Sequence, residues 1–241
     1  MASKIVWTTA PHKHMISWTT ITSFGDFAIT APVVVGIAGW LALAGEQRLA
    51  LRWSILFVVA MTLAVATKVA FIGWGIGIRS LDFTGISGHA LRAAMVMPVL
   101  SCLILQGASR AGRVFGVALG LLFAGLVGLS RLALHVHSVS EVASGLLLGG
   151  AASLYFIRRA GRLQTHVPRR IRIACSLALL LVAPHAQPAP TQRWLTKATL
   201  YISGHDKPFR RADWQAAKIT RQAPFPVTDA ALRTPARRHS A

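Results

Sequence analysis

Two short stretches carry residue types that can hold an anion and present a nucleophile to it. The first is Gly85-Ile86-Ser87-Gly88-His89, small residues followed by an apolar run that opens at Ala90-Leu91. Such a turn feeding a helix leaves backbone N–H groups and the positive end of the helix dipole facing a ligand, conditions that favour an anion. Ser87 adds a hydroxyl, Gly88 permits close backbone approach, and His89 can carry a proton near neutral pH. The second stretch runs from Ser130-Arg131 through His135-Val136-His137 to Glu141. A guanidinium presents a fork of donors suited to phosphate. His137 and Glu141 are four residues apart and share a face on a helix, so the carboxylate can hold one ring nitrogen as N–H. The other nitrogen then keeps a free lone pair, as a nucleophile needs. His135 has no acidic residue four positions on and is read as structural.

The elements that must position these residues are apolar segments. The chain has 241 residues, of which 54% are hydrophobic and 14% charged; soluble domains carry about 25% charged residues. Phe27 to Gly45, Trp53 to Ile72, His89 to Ser109, Val114 to Leu129 and Val142 to Ile157 are long apolar runs, and Ile173 to Ala183 is a shorter sixth. The expected fold is therefore an all-α polytopic transmembrane helix bundle with five or six spans. Residues 1–26, with Trp7, Trp18 and Phe24, suit a membrane interface. Residues 27–184 form the transmembrane domain, and residues 185–241 a basic, Pro-rich tail with expected partial disorder. No signal peptide is evident at the N-terminus. Cys102 and Cys175 fall in apolar segments and read as small buried hydrophobes.

The formal net charge of +19 does not point to nucleic acid, because the cations cluster in short loops and the tail. The loops 46–52, 110–113 and 158–172 hold ten Lys or Arg, whereas Lys4, Lys13, Arg79 and Arg131 mark the other side before the tail. Basic loops stay cytoplasmic, so both histidine-bearing loops are expected on the non-cytoplasmic face. If the sixth segment also spans, ten further cations of the tail join them there.

With both stretches in view, the sequence resembles the type 2 phosphatidic acid phosphatase family, integral-membrane relatives of the vanadium haloperoxidases. Ser87-Gly88-His89 matches that family's second motif. Ser130-Arg131 and His137 match the third at full spacing, with Glu141 where the family has Asp. Lys68 stands for the lysine of the first motif; the next arginine, Arg79, is farther along, and Ser80 replaces the motif's proline. The resemblance covers about residues 53–160.

The resemblance implies a metal-independent phosphatase acting on a lipid phosphate or lipid pyrophosphate, an undecaprenyl carrier pyrophosphate or a phosphatidate-like lipid, with no cofactor. His137 would attack phosphorus to give a phosphohistidine, His89 would protonate the leaving oxygen and then activate water, and Glu141 would orient His137. Lys68, Ser87, Gly88 and Arg131 would hold phosphoryl oxygens, with Arg79 a substitute ligand at the rim. The expected setting is a bacterial inner membrane with the site facing the periplasm; the expected partners are the lipid substrate and membrane lipids. A non-catalytic lipid-phosphate binder or transporter is the alternative on the same scaffold.

Other polar residues have plainer readings. Arg92, one turn beyond His89, is an ionisable group inside an apolar segment, and Asp26 and Asp82 fit either a pocket or a helix cap. Ser203-Gly204-His205 repeats the tripeptide without an apolar helix after it. The glycines of Gly73–Gly77 lack the lysine and spacing of a nucleotide loop.

Overall fold

The computed structural model describes residues 17–161 and 191–214, and the regular elements among them are helical. A short α1 (Trp18–Ser23) turns into α2 (Phe27–Leu43). Then come α3 (Gln47–Trp74), α4 (Gly88–Ile104), α5 (Arg110–Ala133) and α6 (Val139–Ala160), and α7 (Thr191–Ser203) lies against α3. Between α3 and α4 the chain makes a 3-10 turn at Arg79–Leu81, closed by an antiparallel bridge between Ile78 and Phe83.

Local chemistry fixes where these helices begin and end. Oδ1 of Asp26 accepts the Ala28 N–H at 2.8 Å and caps α2, and Oγ of Ser109 accepts the Gly112 N–H at the start of α5. Side-chain acceptors at these positions satisfy N–H groups that the helix itself leaves unpaired. At the far end of α3, Gly75 takes a left-handed conformation (φ 68°), and the N–H groups of Gly75 and Ile76 return to the carbonyls of Phe71 and Ala70. This is the glycine-terminated helix end that stops the apolar run without losing its last carbonyls.

α4 is the centre of the bundle. Ala90 through Val96 are all buried, as expected for a helix enclosed on every side. α5 and α6 flank it, and α2 and α3 complete the enclosure. α6 comes close because Gly145 and Gly149 have no Cβ; a Cβ there would run into the backbone of Ser87 and Leu91. Trp53 on α3 ties the layer together, donating its indole N–H to the Val34 carbonyl at 3.0 Å and packing on Phe156.

Four helical stretches are long and apolar enough to cross a membrane: Trp18–Leu43, Gln47–Trp74, Arg110–Ala133 and Val139–Ala160. Large apolar side chains such as Val35, Leu43, Val58, Phe115, Leu122 and Leu147 are more than half exposed on their outer faces, a surface suited to lipid rather than water. The expected third span is shorter than the sequence suggests. α4 ends at Ile104, its 17 residues covering about 25 Å, because the chain turns at Leu105–Gly107. Since α4 is surrounded by other helices, it need not match the bilayer as an outer helix must. The expected sixth segment, Ile173–Ala183, and Cys175 lie outside the described residues.

α2, α4 and α6 start at the end of the bundle where α3 and α5 finish. Gly161 sits at the opposite end, beside Gln106 and Arg113, whereas Thr191 lines a cavity at the first end. Residues 191–214 of the tail pack against the bundle, because Thr199, Phe209 and Trp214 meet α3 and the loop after it.

Candidate active site

The end of the bundle where α2, α4 and α6 begin encloses a cavity of about 700 Å³. Lys68, Gly88, His89, Arg131, His137 and Glu141 all line it. The two histidine-bearing loops thus converge on one space, with a lysine from α3 and an arginine from α5. Phe71, Ile72 and Val136 give part of the wall an apolar character.

His137 sits just before α6, with Nδ1 2.6 Å from Oε2 of Glu141. The buried carboxylate accepts, so Nδ1 carries the proton and Nε2 keeps its lone pair. Burial pushes the His137 imidazole below its ordinary pKa, against the opposing pull of Glu141. The carboxylate is unusually well held. Ser138 caps α6, and Glu141, three residues on, folds back to accept the Ser138 N–H at 3.3 Å, closing a capping box. Its second oxygen accepts the Thr84 N–H at 2.8 Å and the Thr84 hydroxyl. The glutamate side chain is long enough to reach both the helix start and the preceding imidazole. The backbone joins the two loops as well, with the Ser87 N–H donating to the Glu141 carbonyl at 3.0 Å.

His89 has its own acidic neighbour. Oδ2 of Asp26, the residue that caps α2, is 3.6 Å from Nε2 of His89. The segment before α2 supplies more than an interfacial anchor. Nη1 of Arg131 donates to Oγ1 of Thr22 at 2.8 Å, and Nε of Arg92 donates to the Gly25 carbonyl at 3.0 Å. Phe24 packs edge-on against Phe123 and holds α1 on α5. Asp26, Thr22 and Arg92 all line the cavity.

Two further polar atoms, Oγ of Ser87 and Nε of Arg131, are buried without a hydrogen-bond partner among the described residues. Leaving such groups unpaired is costly, and both belong to residues expected to hold phosphoryl oxygens. Ser87 itself is buried behind Gly88 and does not line the cavity. Arg79 is not at the cavity either; its guanidinium stacks 5.7 Å over the Trp214 ring. The aromatic ring beside the 3-10 turn takes the Arg79 side chain. His135 turns the chain with φ 53° and does not line the cavity. His205 packs edge-on against Phe209. Among the described residues no group of His, Cys, Asp or Glu is arranged to hold a metal ion.

Two residues near the ends of the chain join this set. Asp26, which the sequence left open between a pocket and a helix cap, does both, although nothing in the sequence tied it to His89. Arg211 carried no signal in the sequence. Its Nη2 lies 2.9 Å from Oε1 of Glu141 and its Nε 3.1 Å from Oδ1 of Asp82.

The family model of the PAP2 superfamily matches residues 14–164. A Klebsiella pneumoniae protein called "Uncharacterized 22.5 kDa protein in cps region" is 38% identical over 205 residues, covering 82% of this chain and 97% of its own length. No solved structure matches the chain.

Proposed function

Since the chain belongs to the PAP2 superfamily, we propose that it is a metal-independent membrane phosphatase that hydrolyses a lipid phosphate or lipid pyrophosphate through a phosphohistidine. The observation that carries this reading is the meeting of His89 and His137 across one cavity that also holds Lys68 and Arg131. In the first step Nε2 of His137 attacks phosphorus and the bond to the leaving oxygen breaks. His89 gives that oxygen its proton. In the second step His89 takes a proton from water, the oxygen attacks phosphorus, and inorganic phosphate leaves as the imidazole of His137 is restored. Splitting one displacement into two lowers each barrier.

Lys68 and Arg131 meet the charge that spreads over the equatorial oxygens, the main task in phosphoryl transfer. The Gly88 backbone at the start of α4 adds the helix N-terminus, and the unpaired Oγ of Ser87 lies beside it. Glu141 fixes the tautomer of His137 through the 2.6 Å contact. Placement supports a lipid substrate. The cavity lies at the end of a bundle whose outer faces are apolar, so a substrate whose tail stays in the bilayer can offer its headgroup from the side. Isoprenyl pyrophosphate and phosphatidate are the two substrate classes we favour, in a bacterial inner membrane with the site facing the periplasm.

The test is phosphate release by the detergent-solubilised full chain in EDTA, across isoprenyl pyrophosphates, phosphatidate and phosphatidylglycerol phosphate. Release from at least one class, lost in His137→Ala, supports the reading. No release from any of them would end it.

A further inference from the structure

The C-terminal segment meets the bundle along the Gly73–Gly77 run. A Cβ at Gly73 would press on Thr199 and Ser203 of α7, one at Gly75 on the ring of Phe209, and one at Gly77 on the ring of Trp214. The run is thus a groove shaped for this segment. The Phe209 N–H donates to the Ile72 carbonyl at 2.9 Å, and Trp214 packs edge-on against Phe71 and under the Arg79 guanidinium. Between these two aromatic anchors sits Arg211, reaching the carboxylate that holds His137. Phe209, Thr191 and Gln192 line the same cavity as the histidines.

We propose that residues 205–214 are a strap that completes the active site, and that Arg211 is a positioning residue acting on His137 through Glu141. The inference rests on reading His137 as the nucleophile. Glu141 offers one oxygen to His137 and the other to Thr84 and Arg211. A guanidinium on the second oxygen draws off part of the carboxylate's charge and so weakens its pull on an imidazolium. The strap keeps His137 neutral, with its Nε2 lone pair available, over a wider range of pH. The other charges facing this pair are Lys68 from α3, Arg131 from α5 and Asp82, which shares Arg211; Arg92 and His89 on α4 and Asp26 on α2 border the same cavity.

The strap's chemistry can be read in two independent ways on the full chain in detergent. With ¹³C-labelled histidine, and His137→Gln to assign the signal, NMR titration follows the His137 ring whether or not the protein hydrolyses anything. Arg211→Ala is expected to raise the His137 midpoint by about one unit, the scale of a neighbouring charge. Phosphate release should then lose about tenfold in kcat/KM on the acid limb, where one unit of protonation equals a factor of ten. Arg211→Lys, which keeps the charge, should restore most of the shift. Trp214→Ala, which removes the anchor, should reproduce it. An unchanged midpoint in Arg211→Ala, or an equal shift in Arg211→Lys, overturns the proposal. Absence of hydrolysis in the unaltered chain would instead count against the nucleophile reading, with the NMR shift still deciding the strap.

Discussion

Oδ2 of Asp26 stands 3.6 Å from Nε2 of His89, so each cavity histidine has a carboxylate beside it. The pairs differ in kind. Glu141, in the first turn of α6, bonds Nδ1 of His137 just before that helix, which fixes a tautomer. Asp26 stands beside Nε2 of His89 at a longer separation and from a different part of the chain, so it adds a nearby charge without fixing a tautomer.

Asp26 also caps α2, and the two roles separate by substitution. Asn caps a helix about as well as Asp, whereas Ala costs about 1 kcal/mol. Asp26→Asn should leave the thermal midpoint of the detergent-solubilised protein close to the original and lower kcat by roughly tenfold or more through the lost charge on the acid. Asp26→Ala should lower both. A loss of stability without loss of turnover in Asp26→Asn would leave this residue as a cap alone.

Glu141→Gln tests the tautomer. The amide can donate to Nδ1 of His137, which moves the ring proton to Nε2 and buries the lone pair where the substrate is not. Turnover should fall by about a hundredfold or more, since a nucleophile without its lone pair is inert. Glu141→Asp keeps the charge but shortens the side chain. It should retain part of the activity and lose about 1 kcal/mol of stability as the capping box opens. Initial rates and denaturation curves on the three proteins give the comparison.

Burial holds the His137 imidazole below its ordinary pKa, which is about 6.5 in an unfolded chain. The ring is therefore neutral in the native state at pH 7, and kcat/KM should stay on its plateau there. It should fall only once the pH drops well below 6.5, through the depressed native value. The same sign holds for stability. A depressed native pKa contributes stability above the unfolded value, and that contribution is lost as pH falls from about 6.5 through the native value, because the unfolded chain takes up the proton first. Turnover and unfolding midpoints measured from pH 8 down to 5 should both decline toward acid, and the His137→Gln variant should lack this contribution to the unfolding trend.

The parts of the site that were legible in the sequence are those joined by short spacing. His137 and Glu141 form an i, i+4 pair, and the Ser-Gly-His turn opens a helix, so residue type and local geometry were enough to name them. The all-helical, membrane-spanning architecture followed from long uncharged runs. What escaped was contact between distant segments. Glu141 meets Arg211 across 70 positions, and no periodicity links the two. The tail's basic, Pro-rich composition hid two aromatic anchors, and the glycines that receive them read as punctuation. Spacing also says nothing of where Arg79 points, which the Ile78–Phe83 bridge and the Trp214 ring decide. The capping box that Ser138 and Glu141 close became visible only in the structure.

Arg131 offers the sharpest division between charge and shape. Nη1 is fixed by Thr22 at 2.8 Å, and Nε is buried with no partner among the described residues, so a flat fork is held in one orientation with its Nε N–H unused. Lysine carries the same charge as a single point on a flexible stem and cannot present that fork. Arg131→Lys should therefore lose about a hundredfold in kcat/KM, the usual scale for removing one preorganised donor from a developing charge. Thr22→Val removes only the hydroxyl that steadies the guanidinium. Its cost should be nearer tenfold, about the 1.4 kcal/mol at stake in one hydrogen bond to a charged group. If the lysine variant were the milder of the two, Arg131 would be serving the cavity by charge alone, and the fork held by the N-terminal segment would have no part in turnover.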